Sequence, residues 1–175
     1  MRVRSVIAGT VALAAVLVAP AAFPSGTRGA APTLERLPRA AAAGQLSQYG
    51  HIRSLTRVGP GFRLRFDPAF WLGGSTANRA AEEDGVIAPG EGVPNDYYVR
   101  DEARKLLTYR VPPSAKVTVL DRRLRPFSIS VAQLAAVVAG RNPTGRPLYD
   151  RPRALGYWIL VDTDRVLALD QQYQP

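Results

Sequence analysis

Strict alternation of apolar and charged residues marks the most regular strand pattern in the chain. Residues 62–66 read Phe-Arg-Leu-Arg-Phe, which places three apolar side chains on one face of an extended segment and two arginines on the other. Residues 51–58 mix Ile, Thr and Val with Arg and Leu, and Gly-Pro-Gly at 59–61 separates the two segments. The pattern predicts a β-hairpin with a short glycine-containing loop.

Two segments carry the signals of short helices. Apolar residues within 131–139 recur at intervals of three and four, which forms one apolar stripe on a helix. Ser130 and Gln133 form a capping box at its start, and Gly140 follows its last turn. A second, less apolar helix is predicted over residues 75–84, which are rich in alanine and end before a glycine.

The remaining apolar runs are short and bounded by turn residues. They predict strands at 97–100, 106–111 and 116–120, and a second hairpin formed by 157–162 and 165–170. The order β-β-α-β-β-β-α-β-β indicates an α+β fold with a mainly antiparallel sheet and two helices. In one arrangement that fits this order, the sheet is curled into a small barrel, and in the other it is open. A doubly wound parallel sheet is disfavoured because strands and helices do not alternate regularly.

The first residues have the three-part pattern of a secretory signal peptide. Arg2 and Arg4 precede an apolar run over residues 6–18, and small residues at Ala19 and Ala21 fit a cleavage site. The run is well short of the roughly 20 apolar residues that a membrane-spanning helix needs. A cleaved signal peptide over residues 1–21 is therefore predicted, with an uncleaved signal anchor as the alternative.

The leader predicts where the protein is located, and the composition after it predicts how the chain is divided into a spacer and a domain. Residues 22–48 are rich in Ala, Pro and Gly and are predicted to form a flexible spacer, followed by a single domain over residues 49–175. The chain has no cysteine, so the domain must fold without disulfides. We expect a secreted protein that is extracellular or loosely associated with the cell wall.

The charge balance is basic. Removal of Arg2 and Arg4 with the leader would lower the formal net charge of +9 by two, to +7. A basic protein outside the cell is attracted to anionic wall polymers, anionic lipid or nucleic acid. We expect an anionic wall polymer, a peptide or a partner protein as the partner, because export makes nucleic acid an unfavoured one. The alternative is a coding bias, because Lys105 and Lys116 are the only lysines among 23 basic residues.

The chain has few reactive side chains, which argues against several kinds of catalytic, metal and cofactor site. His51 is the only histidine, and with no cysteine in the chain a zinc site is not expected. No nucleophile elbow, phosphate-binding loop or dinucleotide fingerprint is present. The sequence therefore predicts no metal site and no cofactor, and it indicates no catalytic residue.

Two groups of residues are candidate binding sites. The first is Asp96, Tyr98 and Arg100, with His51 as a further member, where a glycine-rich loop enters a predicted strand. Its alternative is a capped loop leading into a half-buried strand with an ion pair. The second is a proline-rich loop over 141–154, a candidate anion-binding loop or else an unstructured insertion. Its arginines are Arg141, Arg146, Arg151 and Arg153.

Three strings in the chain resemble a family of small exported bacterial proteins of unassigned function. They are Phe-Asp-Pro-Ala at 66–69, Val-Pro-Asn-Asp-Tyr-Tyr-Val-Arg at 93–100 and Gln-Gln-Tyr-Gln-Pro at 171–175. The resemblance covers residues 49–175 and implies no functional residue. The loop at 141–154 is longer than such proteins lead us to expect.

Two functions from different classes fit the sequence. The first is a non-enzymatic binding module at the cell surface or wall, which agrees with the leader and with the missing catalytic motifs. The second is a small hydrolase for extracellular or wall substrates that uses carboxylates as acid and base, with Asp67, Asp96 or Asp101 as candidates. The binding module is the preferred hypothesis.

Overall fold

The fold is known from a computed structural model, which describes residues 38–102, 105–149 and 156–174. The predicted signal peptide and the first part of the predicted spacer, up to residue 37, lie outside the described residues. The elements in chain order are β1 (Gln45–Val58), β2 (Gly61–Pro68), β3 (Phe70–Gly73), α1 (Gly74–Glu83), β4 (Tyr97–Arg100), β5 (Leu107–Val111), β6 (Lys116–Leu120), β7 (Pro126–Ile129), α2 (Val131–Val138), β8 (Gly156–Asp162) and β9 (Arg165–Gln171).

The main sheet has seven strands in the order β5-β2-β1-β8-β9-β6-β7. Neighbouring strands are antiparallel except where β9 pairs with β5 and β6. The β5–β9 pairing joins Arg110 to Arg165 and closes the hydrogen bonding of β1, β2, β5, β9 and β8 into a ring. The predicted α+β class with a mainly antiparallel sheet and two helices is confirmed.

The core lies on one face of this curved sheet and under α2. Leu64, Phe66 and Ile159 are fully buried on inward-facing strand positions, as the two-residue alternation predicts. Leu134 of α2 packs into the same apolar cluster. The predicted capping box is present, because the Ser130 hydroxyl accepts a hydrogen bond from the Gln133 backbone N–H.

Strand β1 corrects the predicted boundary between spacer and domain. It begins at Gln45, four residues before the predicted domain start at Tyr49, because residues 45–48 pair in register with residues 159–162 of β8. The side chains of this first part are mostly polar, so no apolar alternation marks it in the sequence. Its strand conformation depends on backbone hydrogen bonds to a segment distant in the chain.

Two short strands, β3 and β7, were not predicted. Each has four residues, too few for a period-two pattern to be recognised. Strand β7 begins with Pro126, and proline is tolerated at the first residue of a strand. Strand β3 pairs only with β4 and forms a separate two-stranded sheet. Within the described ranges, neither helix has the length and apolar character needed to cross a membrane.

Candidate functional site

The two-stranded β3–β4 sheet presents different side chains on its two faces. Residues that pair across an antiparallel ladder share a face, so Trp71 shares one with Val99, and Tyr97 lies on that face too. Tyr98 and Arg100 lie on the opposite face. Two of the predicted binding residues therefore point away from the side where Tyr97 and Trp71 meet.

Tyr98 and Arg100 form an ion cluster with the end of α1. Arg100 donates hydrogen bonds to both carboxylate oxygens of Asp84, at 2.9 and 2.8 Å, and to Glu83 at 3.0 Å. Tyr98 donates its hydroxyl proton to Asp84 at 3.0 Å. These bonds from Arg100 hold the pKa of the Asp84 carboxyl below its ordinary value.

The cluster has a structural task. Arg100 also donates to the backbone carbonyl oxygen of Ala80 at 2.9 Å, so it attaches β4 to the C-terminal end of α1. The acidic residues there oppose the helix macrodipole, and the guanidinium offsets that cost. Because Arg100 is already paired with carboxylates on its own chain, this arrangement corresponds to the alternative that the sequence left open, a half-buried strand with an ion pair.

Asp96 and His51 lie outside this ion cluster. Asp96 is exposed, has a φ of 58°, and accepts a hydrogen bond from the Gly74 N–H through its backbone carbonyl, which makes it a turn residue. His51 lies on β1 with its Nδ1 atom 3.9 Å from a carboxylate oxygen of Asp101, too long for a hydrogen bond. The four residues of the first candidate site therefore do not form one site.

Sequence reasoning missed a cluster of aromatic rings on the other face of the β3–β4 sheet. The aromatic cluster consists of Tyr49, Trp71, Tyr97 and Trp158. The Trp71 and Tyr97 rings are stacked in parallel with centroids 4.2 Å apart. Tyr49 contacts both indoles, with centroid distances of 5.1 Å to Trp71 and 5.2 Å to Trp158. Tyr49 is buried beneath the other three rings, which are half-buried.

The C-terminal segment supplies polar groups to this cluster. The Gln174 side-chain amide donates to the Tyr49 hydroxyl at 2.9 Å, and the Trp158 indole N–H donates to the Gln172 side-chain oxygen at 2.8 Å. The two segments that meet here are far apart in sequence, since 125 positions separate Tyr49 from Gln174. Only tertiary folding assembles the cluster.

Phenol groups at the cluster keep their protons at neutral pH. Burial, followed by the nearby Tyr97, raises the pKa of Tyr49. Burial likewise raises the pKa of Tyr97, with further contributions from Tyr149 and Tyr173, whose rings lie 5.5 Å apart. The site thus combines apolar ring faces with neutral hydroxyl and amide groups that donate and accept hydrogen bonds.

No family model matches this chain, and neither a curated protein nor a solved structure matches it. We therefore infer the chemistry of the site from its own residues. Half-buried aromatic rings with a few hydrogen-bonding groups are typical of sites that bind neutral, partly apolar ligands.

Two of the four arginines of the proline-rich loop lie within the described residues. Arg146 lies over the Phe127 ring at 5.0 Å and lines a cavity of about 500 Å³ together with Arg122, Arg123 and Arg125. Arg141 is exposed at the start of the loop. Arg151 and Arg153 lie outside the described residues.

The candidate catalytic carboxylates occupy three different surroundings. Asp67 is buried and accepts a hydrogen bond from Arg53 at 2.7 Å, Asp96 lies in a turn, and Asp101 is beside His51. Across residues 38–102, 105–149 and 156–174, no three His, Cys, Asp or Glu side chains are grouped so that they could hold a metal ion. Asp101 lies near the aromatic cluster, since the neighbouring His51 contacts Tyr49 with ring centroids 6.0 Å apart. Asp67 lies directly opposite His51 in the β1–β2 register, and Asp96 directly precedes Tyr97 in the chain.

Proposed function

We propose that this protein is an exported, non-enzymatic binding module that recognises a neutral glycan of the cell surface or wall through the aromatic cluster. The stacked pair of Trp71 and Tyr97 carries the proposal, because both rings are half-buried and so leave part of their apolar surface exposed. The C–H face of a sugar ring is apolar and packs on an aromatic ring, while its hydroxyl groups need hydrogen-bond partners.

Polar groups around the rings match the second requirement of a sugar ligand. Gln172, Gln174 and Tyr173 are half-buried beside the cluster, and the Asp101 carboxylate retains 40% exposure. Amide groups donate and accept, and carboxylates accept, the hydrogen bonds that sugar hydroxyls otherwise form with water. The neutral rings and amides favour an uncharged glycan over an anionic one.

Tryptophan fluorescence tests this function directly. The chain contains two tryptophans, Trp71 and Trp158, and both belong to the aromatic cluster. We expect the emission to shift when a hexasaccharide of N-acetylglucosamine is titrated into the protein. Trp71→Ala should weaken this binding by at least about tenfold, because a central aromatic ring carries much of the energy of an interface.

Phe70 provides a matched control. It is adjacent to Trp71, lies on the opposite face of the β3–β4 sheet, and is 60% exposed, so Phe70→Ala removes an exposed ring without touching the cluster. Glycan binding and retention on insoluble wall glycan should be unchanged in this variant. Failure of the unmodified protein to bind either material, or equal losses in both variants, would show the proposed function to be wrong.

A hydrolase is the second candidate, and the His51–Asp101 pair beside the cluster is the observation that favours it. A histidine close to a carboxylate is able to act as a general base. Release of new reducing ends from the hexasaccharide, abolished by Asp101→Asn, would establish hydrolysis. Binding without such release would establish the binding module.

A further inference from the structure

Three arginines lie in register on three adjacent strands at the other end of the sheet. Arg63 of β2 is opposite Arg110 of β5, and Arg110 is opposite Arg165 of β9. Paired residues share a face of the sheet, and all three side chains are exposed. We call Arg63, Arg110 and Arg165 the arginine row.

Like charges directly opposite each other on neighbouring strands destabilise a sheet. The central member of the row is neutralised, because Arg110 is held by both carboxylate oxygens of Asp164 at 2.9 Å. Asp162 lies opposite Arg165 in the β8–β9 register. In the part of the chain that the structure describes, however, neither Arg165 nor Arg63 forms an ion pair or a side-chain hydrogen bond.

The arginine row lines a groove of about 630 Å³. Val58, Pro60 and Pro112 contribute apolar walls, and Val58 is 45% exposed. Because the site is concave, it admits a chain more readily than a flat bilayer surface. Its two rings are not available for stacking nucleic acid bases, because Phe62 is buried and Tyr109 packs against the core from the face of β5 opposite Arg110.

We propose that this groove binds an extracellular polymer linked by phosphodiester groups, with Arg63 and Arg165 each contacting one phosphate. Guanidinium groups match phosphate oxygens in bidentate geometry. Two strand spacings place the backbones of these two arginines roughly 10 Å apart, a separation that suits two anionic groups along a chain better than a single anion. This second site is independent of the glycan site proposed above.

A labelled poly(glycerol phosphate) oligomer is the probe, with affinity measured by fluorescence anisotropy at several salt concentrations. The groove variant is Arg63→Gln with Arg165→Gln. Its matched control, Lys105→Gln with Lys116→Gln, removes the same charge from exposed positions outside the groove. We expect the groove variant to lose at least tenfold in affinity, and its salt slope to fall by about 1.4, the value for two phosphate contacts on a flexible strand.

The groove variant should also keep or increase its thermal midpoint, because it removes like charges that oppose each other. A loss of binding with a retained midpoint therefore supports the site. Equal losses of affinity in both variants would show that binding depends on net charge alone, and this result would overturn the proposed site. Tighter binding of an oligothymidylate of equal length, or of vesicles containing phosphatidylglycerol, would overturn the assignment of the ligand. Hexasaccharide binding should be unchanged in the groove variant, so the two proposals fail separately.

Discussion

The ring of Tyr49 on β1 occupies the space directly above the α-carbon of Gly156 on β8. A Cβ atom at position 156 would overlap the phenol ring and its hydroxyl group. The absent side chain of Gly156 thus allows Tyr49 to lie flat across β8 and to contact Trp71 and Trp158. One glycine on the main sheet controls the base of the aromatic cluster.

Gly156→Ala is expected to displace the Tyr49 ring and to lower the free energy of unfolding by about 1–3 kcal/mol, the usual cost of overpacking. Urea unfolding measures the loss, and tryptophan emission reports the change at the cluster. Gly92→Ala is the control, because Gly92 is exposed and a Cβ atom there would find its nearest neighbour, the side chain of Asn78, at 3.9 Å. Similar losses in the two variants would contradict a specific role for the Tyr49–Gly156 contact.

Tyr157 should tolerate loss of its hydroxyl group. The phenol is fully buried in the core, and its hydroxyl has no hydrogen-bond partner among the described residues. Because a buried unpaired hydroxyl costs desolvation energy, Tyr157→Phe should leave the free energy of unfolding unchanged or raise it by about 1 kcal/mol. Tyr49→Phe loses the bond from Gln174 and should be destabilising by ~1 kcal/mol. The opposite order in urea unfolding would contradict the structure.

The ion cluster at the end of α1 predicts a pH dependence. Because Arg100 lowers the pKa of Asp84 in the folded protein, the ionised carboxylate stabilises the fold above the ordinary aspartate pKa of about 4. This stabilisation is lost as the pH falls through the lowered value. Asp84→Asn should therefore reduce the thermal midpoint at pH 7 and have little effect at strongly acidic pH.

Asp96→Asn is the control for this experiment, since the Asp96 side chain forms no ion pair in residues 38–102, 105–149 and 156–174. Its effect on the thermal midpoint should be small at both pH values. A decrease at pH 7 as large as that of Asp84→Asn would indicate that general charge, and not the contact with Arg100, is responsible.

Arg39 tests whether the segment before β1 is part of the folded domain. Its guanidinium donates to the buried carboxylate of Asp170 at 2.8 Å, and its own side chain is 37% exposed. Arg39→Gln leaves a buried carboxylate unpaired and should be destabilising by about 1–2 kcal/mol after allowance for solvent screening. Adding Asp170→Asn to the Arg39→Gln variant should restore part of the lost free energy of unfolding. Additive losses in the double variant would show that the two groups do not interact.

Local patterns in the sequence predicted the elements whose signals are contained within a few residues. The alternation at residues 62–66 produced β2, and the capping box with its apolar stripe produced α2. Strand β3 and the first four residues of β1 were missed, because their conformation depends on pairing with β4 and β8. Backbone pairing partners leave no trace in a segment's own composition.

The same distinction between local and long-range information applies to the fold class and to the candidate sites. The sequence alone determined the fold class, a basic charge balance and the scarcity of metal ligands and nucleophiles, because these follow from composition and short-range periodicity. Tertiary structure alone paired Arg100 with Asp84, brought Tyr49 and Trp71 to Trp158, and aligned Arg63 with Arg110 and Arg165. Strand order and register decide which distant side chains share a face, and neither is encoded in any single segment.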